Sequence, residues 1–198
     1  RAAHIVTVEQ PIEFLYVNNL SVIEQREVGH DALSFEQAII SASREDVDVI
    51  VISEASTAAV VSAALEAAAA SRLVITTMPA DTVLATIEQL IASAPSSDAM
   101  KIRAQLSNAL AAIVCQRLIP KNGGGLIMVP DILIPTAPVR AVMRDGALVQ
   151  LQNVIQTSRQ VGIESFDRRL LELVENGTIA KEEAQRQALD PNALRFNS

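Results

Sequence analysis

The segment VDVIVISEASTAAV, residues 47–60, gives the strongest indication of the fold class of this chain. Its first half is a nearly unbroken run of apolar and β-branched residues, typical of a strand buried on both faces of a parallel sheet. The run ends at the carboxylate of Glu54, and a helical pattern follows. Ligands of open α/β sheets bind in the crevice outside the carboxyl ends of the strands. Glu54 is therefore either a functional group or a solvated residue at a strand end, and one glutamate alone does not decide between them.

The neighbouring segments extend this strand into an alternating pattern. Strand-like runs occupy residues 4–10, 21–28 and 72–78, and helical patterns occupy residues 34–46, 56–70 and 81–95, with Asp81 as the expected cap of the last of these. Strands that alternate with helices predict right-handed crossovers and a parallel sheet.

The second half of the chain has a different pattern of predicted helices and strands. Residues 96–118 read as one longer helix, and residues 117–135 read as two β segments joined by the turn NGGG at 122–125, which predicts a hairpin added to the sheet. Everything after this hairpin is helical in pattern. We therefore expect two domains, a partial α/β core over residues 1–136 and a helical C-terminal subdomain over residues 137–198.

Composition excludes several classes of protein. Among 198 residues, 49% are hydrophobic, so a large core is feasible, and a net charge of -7 with a pI near 4.9 argues against a nucleic-acid partner. Cys115 is the single cysteine, so we expect no intrachain disulfide and interpret it as a small buried hydrophobe. No stretch reads as a bilayer span or a secretory signal. Because the first residue is Arg1, we expect a piece of a longer protein or the removal of a leading segment.

Three polar residues follow three strands of the predicted sheet. Glu9, Glu54 and Thr77 would place two carboxylates and a hydroxyl at one edge, where they could orient a water, hold a hydrated Mg²⁺ or act as a base near a phosphate. Strand ends also carry polar residues simply because they emerge into water. Both interpretations remain open on spacing alone.

Other ligand-binding signals are weak. The chain contains no G-x-x-x-x-G-K-[ST] loop, and NGGG suits a hairpin turn better than a phosphate cradle. Arg26 and Arg44 could face an anion, although arginines beside acidic neighbours more often form surface pairs. His4 and His30 show no metal-ligand spacing, so no metal site is expected from protein side chains alone.

A series of linked motifs resembles the type IV pilus retraction ATPases, within the type II/IV secretion motor ATPase family. The segments, in order, are HIVTVEQPIEF (4–14), IEQREVG (23–29), SREDVDVIVISE (43–54), RLVITTMPADT (72–82), GGLIMVPDILIPTAPVRAVMR (124–144) and IQTSRQVGIESFDRRLLELVENGTIAKEEA (155–184). The likeness covers essentially the whole chain. It implies a RecA-like P-loop NTPase core, incomplete at its N-terminal side, with a β-hairpin extension and a helical C-terminal subdomain.

The resemblance also implies roles for individual residues. Glu54 corresponds to the Walker B glutamate that polarises the attacking water, and Glu9 to the supporting Asp-box glutamate, with Glu13 beside it. Five further residues match motif positions. Arg26, Arg44 and Thr77 would contact nucleotide or a subunit interface, and Arg140 with Arg144 would belong to the helix linked with pilus retraction.

At the level of the whole protein, the resemblance implies a cytoplasmic hexamer, homomeric or mixed, peripheral to the inner membrane and working against a pilus platform protein. ATP and Mg²⁺ are the implied ligands, and the hydrolysis of ATP would drive type IV pilus retraction (twitching motility) or a related secretion. The Walker A loop, which the family places upstream of Glu9, is not in this sequence. We therefore do not expect this chain alone to hydrolyse ATP.

Several motif positions depart from the family pattern. Gln10 stands where the Asp box has aspartate, Ser53 replaces the Walker B glycine, Arg72 and Pro79 replace the His-box histidines, and Ala141 replaces an asparagine. These departures favour an alternative function, that of a catalytically degenerate, structural or regulatory paralogue in a mixed ring. A third interpretation, a receiver-like regulatory domain, explains strands that end in carboxylates but neither the hairpin nor the helical tail.

Overall fold

We describe a computed structural model of the chain that covers residues 2–95, 97–157, 165–191 and 194. The predicted α/β fold class is confirmed, with a parallel sheet and flanking helices. The strands are β1 His4–Glu9, β2 Val22–Glu27, β3 Val49–Ile52, β4 Leu73–Thr76, β5 Ile113–Pro120 and β6 Leu126–Leu133. The helices are α1 Phe35–Ala42, α2 Ala58–Ala69, α3 Val83–Ala92, α4 Ala99–Ala109, α5 Ala137–Asp145, α6 Leu148–Thr157, α7 Phe166–Glu175 and α8 Lys181–Gln187.

The chain divides into two compact units. The first unit comprises Arg1–Pro79 and Gln89–Ala109, and the second comprises Ala80–Glu88 and Leu110–Ser198. The boundary expected near residue 136 does not coincide with this division, because the hairpin β5–β6 lies in the same unit as the helices that follow it.

The first unit is built on a parallel sheet in the order β2-β1-β3-β4. Val6 and Val8 of β1 and Ile50 and Ile52 of β3 are fully buried, and their register places them on one face of the sheet. The helix α1 contacts both of these strands, while α2 contacts α1 and β4. The expectation of a strand buried on both faces is therefore met on one face only, because Val49 and Val51, on the other face of β3, are partly buried in the described structure.

Side-chain hydroxyls start the helices that follow the strands. Ser34 Oγ accepts a hydrogen bond from Gln37 N at 3.2 Å, and Thr57 Oγ1 accepts one from Val60 N at 3.3 Å. The prediction that Asp81 caps the next helix is wrong by one residue. Thr82 directly precedes the first residue of α3, and its Oγ1 accepts a hydrogen bond from Ala85 N at 3.0 Å, which is the usual capping geometry.

The predicted helix over residues 96–118 is wrong beyond Ala109. There α4 ends, and β5 begins at Ile113. Along β5 the burial alternates, with Ile113, Cys115 and Ile119 buried, because one face of the strand packs on the core while the other faces solvent. Antiparallel pairing to β6 outweighs the local helical preference of this segment.

The hairpin β5–β6 is a two-stranded sheet of its own in the described structure, so the expectation that it extends the main sheet is wrong. The turn between the strands uses Gly123, Gly124 and Gly125, all at positive φ, where a side chain would introduce strain. The hairpin packs instead against α7.

The core of the second unit joins this hairpin to the C-terminal helices. It contains the buried residues Ile119, Val129, Phe166, Leu170, Leu173, Ile179, Ala184 and Leu194. The guanidinium carbon of Arg117 lies 4.5 Å from the centroid of the Phe166 ring, which is a cation–π contact. The predicted helices of the tail are present as α5 to α8, while residues 158–164 of the last sequence motif lie outside the described residues.

No helix in the described ranges is both long and apolar enough to cross a membrane.

Candidate functional site

Polar residues follow neighbouring strands at the carboxyl edge of the main sheet. Glu9 ends β1, in register with Glu27 at the end of β2. Glu54 stands two residues after β3, and Thr77 directly follows β4. Because the carboxyl ends of parallel strands lie together, the three residues expected from the sequence lie along one edge of the sheet. They are Glu9, Glu54 and Thr77.

The carboxylate of Glu9 is held by two donors. Its Oε1 accepts hydrogen bonds from Thr7 Oγ1 at 2.6 Å and from Gln25 Nε2 at 3.0 Å. Thr7 is only 4% exposed, and it lies on the same face of β1 as Glu9 because side chains two residues apart point to the same side. Glu9 therefore has a defined orientation before any ligand binds.

The backbone on either side of Glu54 is fixed by the neighbouring strands. Ser53 N donates to Val8 O at 2.9 Å, and Ala55 N donates to Thr77 O at 3.1 Å. Thr77 Oγ1 also donates to Ser53 O, at 2.5 Å. Glu54 itself is exposed, so its carboxylate stands on a rigid backbone and can accept a hydrogen bond from water. Thr77 acts here on the backbone that carries Glu54.

The loop between β1 and β2 is tied back to β2 by side chains. Ile12 N donates to Glu27 Oε2 at 3.0 Å, and Tyr16 N donates to Gln25 Oε1 at 2.9 Å. Glu13 lies in this loop and is exposed. Sequence reasoning did not single out Gln25 or Glu27. The parallel register of β1 and β2, which pairs Thr7 with Gln25 and Glu9 with Glu27, is the signal that identifies them.

Arg26 is engaged within the chain. Its guanidinium contacts Glu24 Oε1 and Glu45 Oε2, each at 2.7 Å, and its side chain is 13% exposed. The hydrogen bond from Arg26 lowers the pKa of the Glu45 carboxyl, and the bond to Glu45 raises the pKa of Arg26. This arrangement favours the surface-pair interpretation of Arg26 over an anion contact. Arg44 is exposed near the same cluster in sequence.

The two arginines of α5 differ in their environment. Arg140 is partly buried and its Nη2 donates to Leu110 O at 3.0 Å, so it supports the second unit from within. Arg144 is exposed in the last turn of the helix, which ends at Gly146 in the left-handed conformation. A cation in that turn interacts favourably with the helix dipole.

The carboxylates at this edge of the sheet suit a hydrated metal ion better than an ion held entirely by protein side chains. Within residues 2–95, 97–157, 165–191 and 194, no three His, Cys, Asp or Glu side chains converge on a common point. Magnesium in nucleotide sites usually keeps several waters and takes one or two carboxylates together with substrate phosphates. Glu9 and Glu54 fit that limited contribution.

A partly buried carboxylate lies in the other unit. Asp131 of β6 accepts hydrogen bonds from Val83 N, at 3.3 Å, and from the backbone N–H of Phe166, so one side chain serves the first residues of both α3 and α7. Burial raises the pKa of the Asp131 carboxyl, and the backbone donors only partly oppose this. Burial also raises the pKa of the Cys115 thiol, which fits a structural cysteine.

The raised pKa of Asp131 predicts a specific pH dependence of stability. A carboxyl whose pKa is higher in the folded state than its model value of 3.8 contributes stability below that pH, and this contribution is lost as the pH rises through the folded pKa. We therefore expect wild type to lose stability relative to Asp131→Asn as the pH rises above 3.8, since asparagine keeps an acceptor without the charge. Urea unfolding of both proteins from acid to neutral pH measures the difference. A difference that does not change with pH would contradict the assignment.

The chain is similar to known proteins over nearly its whole length. The family model described as "Type II/IV secretion system protein" matches residues 1–184. The chain is 35% identical over 188 residues to the type IV pilus retraction ATPase PilT of Pseudomonas aeruginosa, covering 95% of this chain and 55% of that protein. It is also 35% identical over 195 residues to a twitching motility protein of Neisseria gonorrhoeae, covering 98% of this chain and 52% of that protein.

Solved structures show the same likeness. The pilus retraction motor PilT with bound ADP superposes with a TM-score of 0.88 at 34% identity, covering 98% of this chain and 55% of that chain. The ATPase DotB of Legionella pneumophila has a TM-score of 0.81 at 23% identity, covering 93% of this chain and 51% of that chain, and supports the fold alone. The chain thus spans about half the length of the relatives it matches.

Proposed function

The chain belongs to the type II/IV secretion system protein family, and from that premise we propose that it forms the carboxylate side of the nucleotide site in a type IV pilus retraction motor. The full-length protein hydrolyses ATP and couples that reaction to pilus retraction, in an oligomeric ring at the inner face of the inner membrane. Its partner there is a pilus platform protein. The likeness to PilT, whose solved structure contains ADP, supports the choice of nucleotide.

One observation carries this proposal. Glu54 is an exposed carboxylate whose flanking backbone is held by β1 on one side and by Thr77 on the other. A carboxylate fixed in this way can accept a hydrogen bond from the attacking water and orient it toward a terminal phosphate. Glu9, oriented by Thr7 and Gln25, adds negative charge at the same sheet edge, where it can hold a water of a hydrated Mg²⁺.

This chain supplies only part of such a site. Its sequence contains no glycine-rich loop followed by lysine, so the phosphates would be held by residues of the full-length protein outside these 198. Bound Mg²⁺ would neutralise phosphate charge during hydrolysis. Within this chain, Glu54 and Glu9 position water at the edge of the sheet on which the nucleotide lies.

The proposal is tested with the full-length protein and with cells that lack its gene. We expect the purified protein to turn over ATP and the deletion to abolish twitching while pili are still assembled, with both restored by the wild-type gene. Turnover together with normal twitching and a defect in protein secretion would assign the motor to secretion instead.

A second candidate is a non-hydrolysing member of a mixed ring. Arg72 stands where the family pattern has a histidine, and its guanidinium donates to Ala70 O at 3.1 Å and to Glu45 O at 3.1 Å, so it is engaged with the backbone of its own unit. The replacement of Asp-box aspartate by Gln10 points in the same direction. Binding of ATP without turnover by the full-length protein would favour this function.

A further inference from the structure

Gln25 of β2 uses its whole carboxamide in the described structure. Its Nε2 donates to Glu9 Oε1 at 3.0 Å and to Phe14 O at 2.8 Å, and its Oε1 accepts from Tyr16 N at 2.9 Å. A carboxamide has two N–H donors and one carbonyl oxygen, so these three bonds use both donors and the acceptor. The network also fixes which way the amide points, because only the nitrogen can face a carboxylate.

These bonds connect a side chain at the end of β1 to the backbone of the loop that follows it. Phe14 and Leu15 in that loop are 70% and 85% exposed, yet the backbone of the loop is anchored through Gln25. The bonds of Gln25 thus act together with the hydrogen bond from Ile12 N to Glu27 Oε2, and they hold the part of the loop that presents apolar side chains to solvent.

We propose that Gln25 is a positioning residue, whose carboxamide holds the Glu9 carboxylate and the loop after β1 as one unit. A displacement of the loop therefore moves the donor that orients Glu9. This inference rests on the proposed function of Glu9 in the nucleotide site, and its loop-anchoring half also stands independently of hydrolysis.

Two substitutions separate the donor and acceptor roles of Gln25. Gln25→Leu is close in volume and removes both. Gln25→Glu keeps an oxygen that can accept from Tyr16 N, but places a second carboxylate against Glu9, where like charges repel. A residue that merely fills space would respond similarly to both changes, whereas a positioning residue would not.

The experiment uses the full-length protein and measures kcat and KM for ATP together with amide hydrogen exchange at Tyr16. For Gln25→Leu we expect exchange at Tyr16 to be faster by about 10-fold and kcat to fall by about 10-fold, with KM changed far less. For Gln25→Glu we expect Tyr16 exchange to stay near the wild-type rate while kcat falls at least as far as in Gln25→Leu. Gln116, an exposed glutamine on β5, is the matched control, and Gln116→Leu and Gln116→Glu should leave kcat and Tyr16 exchange unchanged.

Other results would overturn the inference. Wild-type kcat in Gln25→Glu would show that the donor to Glu9 does not matter, and unchanged Tyr16 exchange in Gln25→Leu would show that the loop is not anchored there. A wild-type protein without ATP turnover would instead overturn the proposed function and the catalytic half of this inference. In that case amide exchange at Tyr16 still tests whether Gln25 anchors the loop, since this measurement does not require ATP hydrolysis.

Discussion

Glu54→Gln in the full-length protein is expected to lower ATP turnover by about 10²–10⁴-fold while nucleotide still binds. Glutamine has nearly the same shape as glutamate but lacks the charge and basicity that orient a water for attack. The hydrogen bonds around position 54 involve the backbone of Ser53 and Ala55 and the hydroxyl of Thr77, so the substitution leaves them in place. A phosphate-release assay, together with a nucleotide-binding titration, measures both quantities.

Glu88→Gln is the matched control for this change. Glu88 is an exposed glutamate on the helix α3, so its substitution removes the same charge from a helix and not from a strand end, and it should leave turnover unchanged. Equal turnover by wild type and Glu54→Gln would remove Glu54 from the mechanism. Loss of nucleotide binding together with turnover would indicate that Glu54 holds the nucleotide and does not position water.

Phe166→Ala is expected to lower the free energy of unfolding by about 3–5 kcal/mol. The Phe166 ring is 2% exposed and packs in the core that joins the hairpin to α7 and α8. Its removal leaves a cavity and also ends the contact with the Arg117 guanidinium, which lies 4.5 Å from the ring centroid. That contact contributes about 0.5–1 kcal/mol, so the loss of buried apolar surface dominates.

Urea unfolding of the 198-residue chain measures this effect, with Phe14→Ala as its control. Phe14 is 70% exposed, so the same substitution there should change the free energy of unfolding by less than about 0.5 kcal/mol. Phe166→Leu should fall between the two, because leucine keeps much of the apolar volume but has no ring for Arg117. Similar losses at positions 14 and 166 would contradict the burial of Phe166.

The fold class was predictable because its signals are local. The β-branched run that ends before Glu54 and the helical patterns around it read as strand and helix without any knowledge of contacts, and the parallel sheet is confirmed. The prediction of a helix across Cys115 is wrong because the structure of that segment depends on a non-local contact. That segment has apolar residues at both helical and strand spacings, and its pairing with β6 across a glycine turn decides the outcome.

At the candidate site, the amino-acid order was enough to place Glu9, Glu54 and Thr77 at one edge, since the carboxyl ends of parallel strands lie together. The partners of those residues needed the tertiary structure. Arg26 meets Glu45 across 19 residues of sequence, and Gln25 meets Glu9 across 16, in pairings that depend on strand register and helix placement. Hydrogen bonds form only within about 3 Å, so chain folding, which no local pattern encodes, selects which polar groups are held and which remain exposed to water.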